Sequence, residues 1–96
     1  MREPHDRKRG LSRADAEEIG VSAFVWLAAD AERLSRFMAL TGLEPDQLRA
    51  AAAAPDFLPA VLDHLAGHEP DLVAFAGEHR LPPERIAQAS QILKQA

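Results

Sequence analysis

The sequence predicts an all-α fold, a compact bundle of about six short helices. Three observations carry that reading. Helix-starting and helix-stopping residues punctuate the chain at short intervals from Ser12 onward. Between them, apolar residues recur at i, i+3, i+4 and i+7, the period of a half-buried helix. No stretch shows the sustained apolar–polar alternation of a strand, and β-branched apolar residues are few. At 96 residues, 47% hydrophobic and 27% charged, the chain has the size and composition of one globular domain and is too apolar to be disordered throughout.

The first helix starts at Ser12, an N-cap residue type with an acid, Asp15, in the turn that follows. Ile19, Ala23, Trp26 and Leu27 form its inner row. Phe24, Val25 and Ala28 then make it apolar nearly all round, which places it in the middle of the bundle. Asp30 caps a second helix, with Glu32 near the positive end of its dipole. Leu34, Phe37, Met38 and Thr41 keep one face of it, and Gly42 suits a left-handed stop. Pro45 opens a short third helix at the position where a missing N–H costs nothing. That helix runs through Leu48 into the alanine run 50–54 and stops at Pro55. Asp56 is placed to cap a fourth, with Phe57, Val61, Leu62 and Leu65 inward and Gly67 as its stop. Pro70 and Asp71 begin a fifth, whose apolar residues are Leu72, Phe75 and Ala76. Leu81-Pro82-Pro83-Glu84 begins a sixth, which sets Ile86, Ala89, Ser90 and Leu93 on one side.

Charge is unevenly spread. Residues 1–13 carry five basic and two acidic side chains, a net of +3, while the other 83 residues carry six against thirteen, a net of −7. The opening has almost no large apolar side chain with which to offset its ordering entropy. Residues 1–12 therefore read as a basic, disordered arm and residues 13–96 as a single helical domain. Arg2, Arg7, Lys8, Arg9 and Arg13 are the candidates for contact with a polyanion. A solvated leader is the plainer reading, because the acidic body repels the same ligand. The absence of cysteine excludes disulfide scaffolds, zinc ribbons and thiol nucleophiles. The longest uninterrupted apolar stretch, 23–29, is far short of the ~20 residues of a membrane helix. Acidic residues rather than an apolar core follow the basic opening, so a secretory leader is not expected.

Displaced by 38 residues, the segment 19–51 matches 57–89 without a gap. Leu27/Leu65, Ala28/Ala66, Leu34/Leu72, Phe37/Phe75, Leu43/Leu81, Pro45/Pro83 and Ala51/Ala89 are identical. The matches fall on apolar anchors and on the proline that starts each third helix. This predicts two three-helix halves, 19–51 and 57–89, stacked about a pseudo-twofold axis. The same displacement sets His64 opposite Trp26 and His68 opposite Asp30. His64 and His68 have the i, i+4 spacing of two metal ligands, with Asp63 and Asp71 nearby. The alignment instead favours a ring-packing position for His64 and a position just before a helix for His68.

Reaction machinery is not expected. The glycines are scattered singly, the serines lack a G-x-S-x-G setting, and no H-E-x-x-H is present. So small a bundle also has little room for a ligand pocket of ~300 Å³ without hollowing its core. Trp26 reads as core and Met38 as a gap-filler beside Phe37. Arg33, Arg36 and Arg49 are candidates for a partner-facing patch; the commoner fate of such residues is a solvated face paired with Asp30 and Glu32. Residues 45–53 and 83–94 are the candidate DNA-recognition helices, and the acidic body argues against both.

The run from Phe24 to Ala52 resembles a small alphaproteobacterial family, domain of unknown function 3572. The resemblance rests on Glu32-Arg33-Leu34, Arg36-Phe37 and Leu40-Thr41-Gly42-Leu43, then Pro45, Leu48-Arg49, Phe57-Leu58, Val61-Leu62-Asp63 and Phe75. It implies an all-helical cytoplasmic bacterial protein and carries no catalytic or binding residue with it. The reading that results is a non-catalytic protein–protein interaction module or regulatory adaptor, with no cofactor or metal, an unidentified protein partner and no membrane. The alternative is weak association with nucleic acid through the basic arm.

Overall fold

The first two helices begin where a side chain takes up free N–H donors of the first turn. In the computed structural model, which describes residues 11–95, the six helices are α1 (Arg13–Ala28), α2 (Ala31–Thr41), α3 (Leu48–Ala52), α4 (Phe57–Ala66), α5 (Glu69–Glu78) and α6 (Glu84–Lys94). A 3-10 turn, Pro45–Gln47, leads into α3, and no strand occurs among the described residues. The fold is the all-α bundle that the sequence predicts.

Ser12 Oγ accepts the Asp15 N–H at 3.0 Å, and the Asp15 carboxylate accepts the Ser12 N–H at 3.4 Å, closing a capping box on α1. Asp30 Oδ1 accepts from the amides of Glu32 and Arg33, both at 3.0 Å, and so starts α2. Asp56 does not cap α4 in the expected way. Its side chain makes no capping bond: Asp56 has φ −93° and ψ 3° instead of the extended backbone of an N-cap, and Pro59, at the third helical position, has no N–H for it to accept. The third helix also ends at Ala52 rather than at Pro55.

The ends of α2 and α5 are built alike, 38 residues apart. Gly42 has φ 79°, and the Leu43 N–H closes on Met38 O at 3.1 Å. Arg80 has φ 56°, and the Leu81 N–H closes on Ala76 O at 2.9 Å. Both are left-handed C-caps, one on glycine and the other on a residue that adopts this conformation at a cost. Gly67, expected to stop α4 in the same manner, has φ −88° and ends it in the right-handed region.

Helices α1, α4 and α6 each pack along the other two. Helix α2 lies against α1 and α5 against α4. The close approach of α1 to α4 occurs at buried Gly20, where a Cβ would stand 3.1 Å from Leu58 Cβ. Leu27, Phe37, Val61, Leu62, Leu65, Phe75 and Ile86 are fully enclosed, each large side chain contributing about 1.5–3 kcal/mol by leaving water. Aromatic edges bind the halves: Trp26 meets Phe75 at 5.7 Å between ring centres, and His64 meets Phe37 at 5.2 Å. These are equivalent positions exchanged between the two segments. The third helices break the likeness, since α3 packs on the turn before it and on α4, whereas α6 lies along both α1 and α4.

Helix α1 corrects another expectation. It is apolar on nearly every side but does not lie in the middle, for Val21 is 53% and Val25 60% exposed, and Ala28 faces solvent. Leu11 rests partly buried against the core and Ser12 caps α1, so both belong to the body rather than to the arm. Arg2, Arg7, Lys8 and Arg9 lie outside the described residues.

Candidate interaction surfaces

The residues flanking α2 form an apolar groove. Ala31, Ser35, Met38 and Gly42 follow one another at helical spacing, Leu34 and Ala39 widen the row, and the turn Leu43-Glu44-Pro45 closes one end. The groove has a volume of about 540 Å³. Leu34, Met38 and Leu43 are half-buried, each resting on the core with one side and lining the groove with another. Glu44 gives its lip a negative charge. Its backbone N–H is held by Gln47 Oε1 at 3.0 Å, which fixes the turn. On another side of α2, Leu40 is 71% exposed. The reading of Met38 as a plain gap-filler missed this second role.

A second feature is a cluster of charges and rings where α1, α2, α4 and α5 meet. The Arg33 guanidinium lies over the Trp26 ring, 3.7 Å from its centre, a cation–π contact. Arg36 Nη1 donates to Asp71 Oδ2 at 3.2 Å, and His68 Nε2 stands 3.9 Å from the same oxygen. Asp71 is only 9% exposed, while its partner Arg36 keeps one side in solvent. Arg33 and Arg36 are thus held by Trp26 and Asp71, not by Asp30 and Glu32 side chains. Arg49 is exposed on α3, and the structure shows no contact joining it to the other two.

His64 packs edge-on against Phe37, as its alignment with Trp26 suggests. Its Nε2 is buried and has no hydrogen-bond partner among the described residues. Burial pushes its imidazole below the ordinary value; the Asp71 carboxylate opposes that shift, and His68 and Arg36 add to it. His68 stands just before α5, where the alignment with Asp30 puts it, but makes no capping bond. Among the described residues, no group of three or more histidines and acids is placed to hold a metal ion.

A third feature is a cleft of about 580 Å³ between the start of α1, the start of α4 and the end of α6, lined in part by Arg13, Asp63 and Lys94. Arg13 donates to Ile92 O and Gln95 O at 3.1 Å and to Leu93 O at 3.4 Å, so that its guanidinium caps the C-terminus of α6. Of the candidate polyanion contacts, this is the one described side chain, and three of its bonds go to carbonyls at the end of α6 while the side chain stays half exposed. Asp63 accepts from Ser90 Oγ at 2.6 Å and from Lys94 Nζ at 2.7 Å. Partial burial acts to raise the Asp63 carboxyl, but the bonds from Lys94 and Ser90 and the Lys94 charge outweigh it and hold the group below its ordinary value. Ser90 gives its proton to a carboxylate with no histidine between them, a structural bond and not the geometry of an activated nucleophile. These grooves exceed the ~300 Å³ that the bundle was expected to spare. They open at the surface between helices and their ends, leaving the core unhollowed.

No helix among the described residues is long and apolar enough to cross a membrane. No curated protein and no solved structure matches the chain. Residues 13–96, the whole run of six helices, match the model of the family described as "Protein of unknown function (DUF3572)", and the chain belongs to that family.

Proposed function

We propose that the protein is a non-catalytic interaction module, an adaptor or small regulator, that receives an apolar side-chain row of another protein in the groove along α2. The observation that supports this reading is the groove itself: half-buried Leu34, Met38 and Leu43 offer apolar walls, the capped ends of α2 hold their spacing, and Glu44 marks one lip with a negative charge. A helix laid in such a groove buries apolar anchors at helical intervals, and a basic residue on it meets Glu44. The polar clusters support the same reading, because their donors and acceptors serve one another rather than a substrate. The family resemblance adds the expectation of a bacterial cytoplasmic setting.

The test is affinity capture from the source organism with the native chain and with Met38→Glu, whose side chain lies half in the groove. Proteins retained by the native chain and lost by a variant of unchanged melting temperature support the groove. Identical captured sets refute it. Ala39→Glu, at a more exposed position of the same groove, repeats the test should Met38→Glu weaken the fold.

A further inference from the structure

Helix α1 carries a row that the bundle leaves uncovered. Ala14, Glu18, Val21, Val25 and Ala28 are all exposed and follow one another at spacings of four, three, four and three residues. That is the spacing of a seam between two helices. Two shallow depressions run along it and share Val21 and Ser22, so the track is continuous from Ala14 to Ala29. A surface helix of a bundle normally turns polar side chains outward; here two β-branched apolar residues hold the middle of the outer face, at 53% and 60% exposure.

The ends of the track differ in charge. Asp15, Glu17 and Glu18 line the end near the start of α1. His79 lines the other end together with Trp26, over which the Arg33 guanidinium lies. The carboxylate at that end of the helix, Asp30, is occupied by the first amides of α2. We propose that this face pairs with the same face of a second copy of the chain, the two α1 helices antiparallel about a twofold axis near Val21 and Ser22. The arrangement sets Val21 of the two copies side by side at the centre, Val25 of each beside Glu18 of its mate, and Ala14 of one copy beside Ala28 of the other. It also carries the acidic end of each copy onto the His79–Arg33 end of its mate. Small residues at both ends of the row let the helices approach. A parallel pair would place acid on acid. The dimer is independent of the α2 groove, which lies on a different helix.

A single helix pair of this length buries less than the ~1,200 Å² of stable complexes, so the dimer forms and dissociates rapidly and populates at high concentration. Sedimentation equilibrium of the full chain should show the weight-average mass rising toward twice the monomer's between about 20 µM and 1 mM. Val25→Asp and Val21→Asp should abolish that rise while circular dichroism and melting temperature stay close to native, since both side chains point to solvent. The chain has no cysteine, so single cysteines report the geometry. Ser22→Cys should cross-link to itself under mild oxidation, and Ala14→Cys should cross-link to Ala28→Cys in a mixture but not to itself. A chain monomeric at 1 mM, a dimer untouched by both aspartates, or Ala14→Cys linking to itself overturns the proposal. The first of these outcomes leaves the face to a different protein.

Discussion

Replacing Arg80 by glycine should stabilise the domain, and replacing Gly42 by alanine should weaken it by a similar amount. Both residues hold left-handed conformations, φ 56° and 79°, in C-caps closed by corresponding backbone hydrogen bonds. An L-residue held there sacrifices about 1–2 kcal/mol. Glycine escapes that cost but loses roughly 0.5–1 kcal/mol more than other residues through its greater freedom when unfolded. The difference leaves a gain of about 0.5–1 kcal/mol for Arg80→Gly and a loss of the same size for Gly42→Ala. Nothing lies within 4 Å of the place a Cβ would occupy on Gly42, so that loss reports the backbone alone. The Arg80 guanidinium makes no hydrogen bond or ion pair shown among the described residues, so little is forfeited with it. For a domain of this size the expected shifts are about 2–8 °C in melting temperature, opposite in sign, read by circular dichroism with urea titration as a second measure. If Arg80→Gly melts at or below the native temperature, or Gly42→Ala melts unchanged, the matched caps do not have the energetics assigned to them.

Gly20→Val should cost about 1–3 kcal/mol in urea denaturation, because even a Cβ there meets Leu58 at 3.1 Å and the added branches must part α1 from α4. His64 resists protonation in the folded chain, so the unfolded chain takes up the proton first. Its stabilisation is complete above about pH 6.5 and is lost as acidity increases from there. His64→Phe, which keeps a ring against Phe37, should flatten stability measured between about pH 7 and 5, and an unchanged slope refutes that assignment. Asp63 is held below its ordinary value, so its contribution is present above about pH 4 and is lost as the pH falls through its folded value. Lys94→Met should make the acid limb of the stability curve shallower; an equally steep limb would show that the ion pair contributes nothing.

Local signals in the sequence were sufficient for most of the helices. Ser12, Asp30, Gly42 and the prolines at 45, 70 and 83 act on neighbours within a few residues, and helix starts and stops follow from them. Asp56 failed as a cap because its backbone is not extended and because Pro59, one of the two residues whose N–H a cap would accept, has none. The surfaces were less legible because they are made by residues far apart in the chain. Arg13 reaches residues 79 to 82 positions away, and Arg36 finds Asp71 across 35. No periodicity records such meetings. The pattern on α1 misled for a related reason. An apolar residue shows that a side can be buried, not that a neighbour exists to bury it, and Val21 and Val25 had none among the described helices.

The place of α6 against both α1 and α4 has a consequence for how the molecule comes into being. Synthesis delivers residues 84–94 after the other five described helices, yet those residues pack along α1 on one side and α4 on another. Until they emerge, the sides of α1 and α4 that α6 covers face water, and the nascent chain offers oily flanks to any chaperone nearby. The guanidinium of Arg13 then meets the newest turn and latches the oldest helix to the youngest.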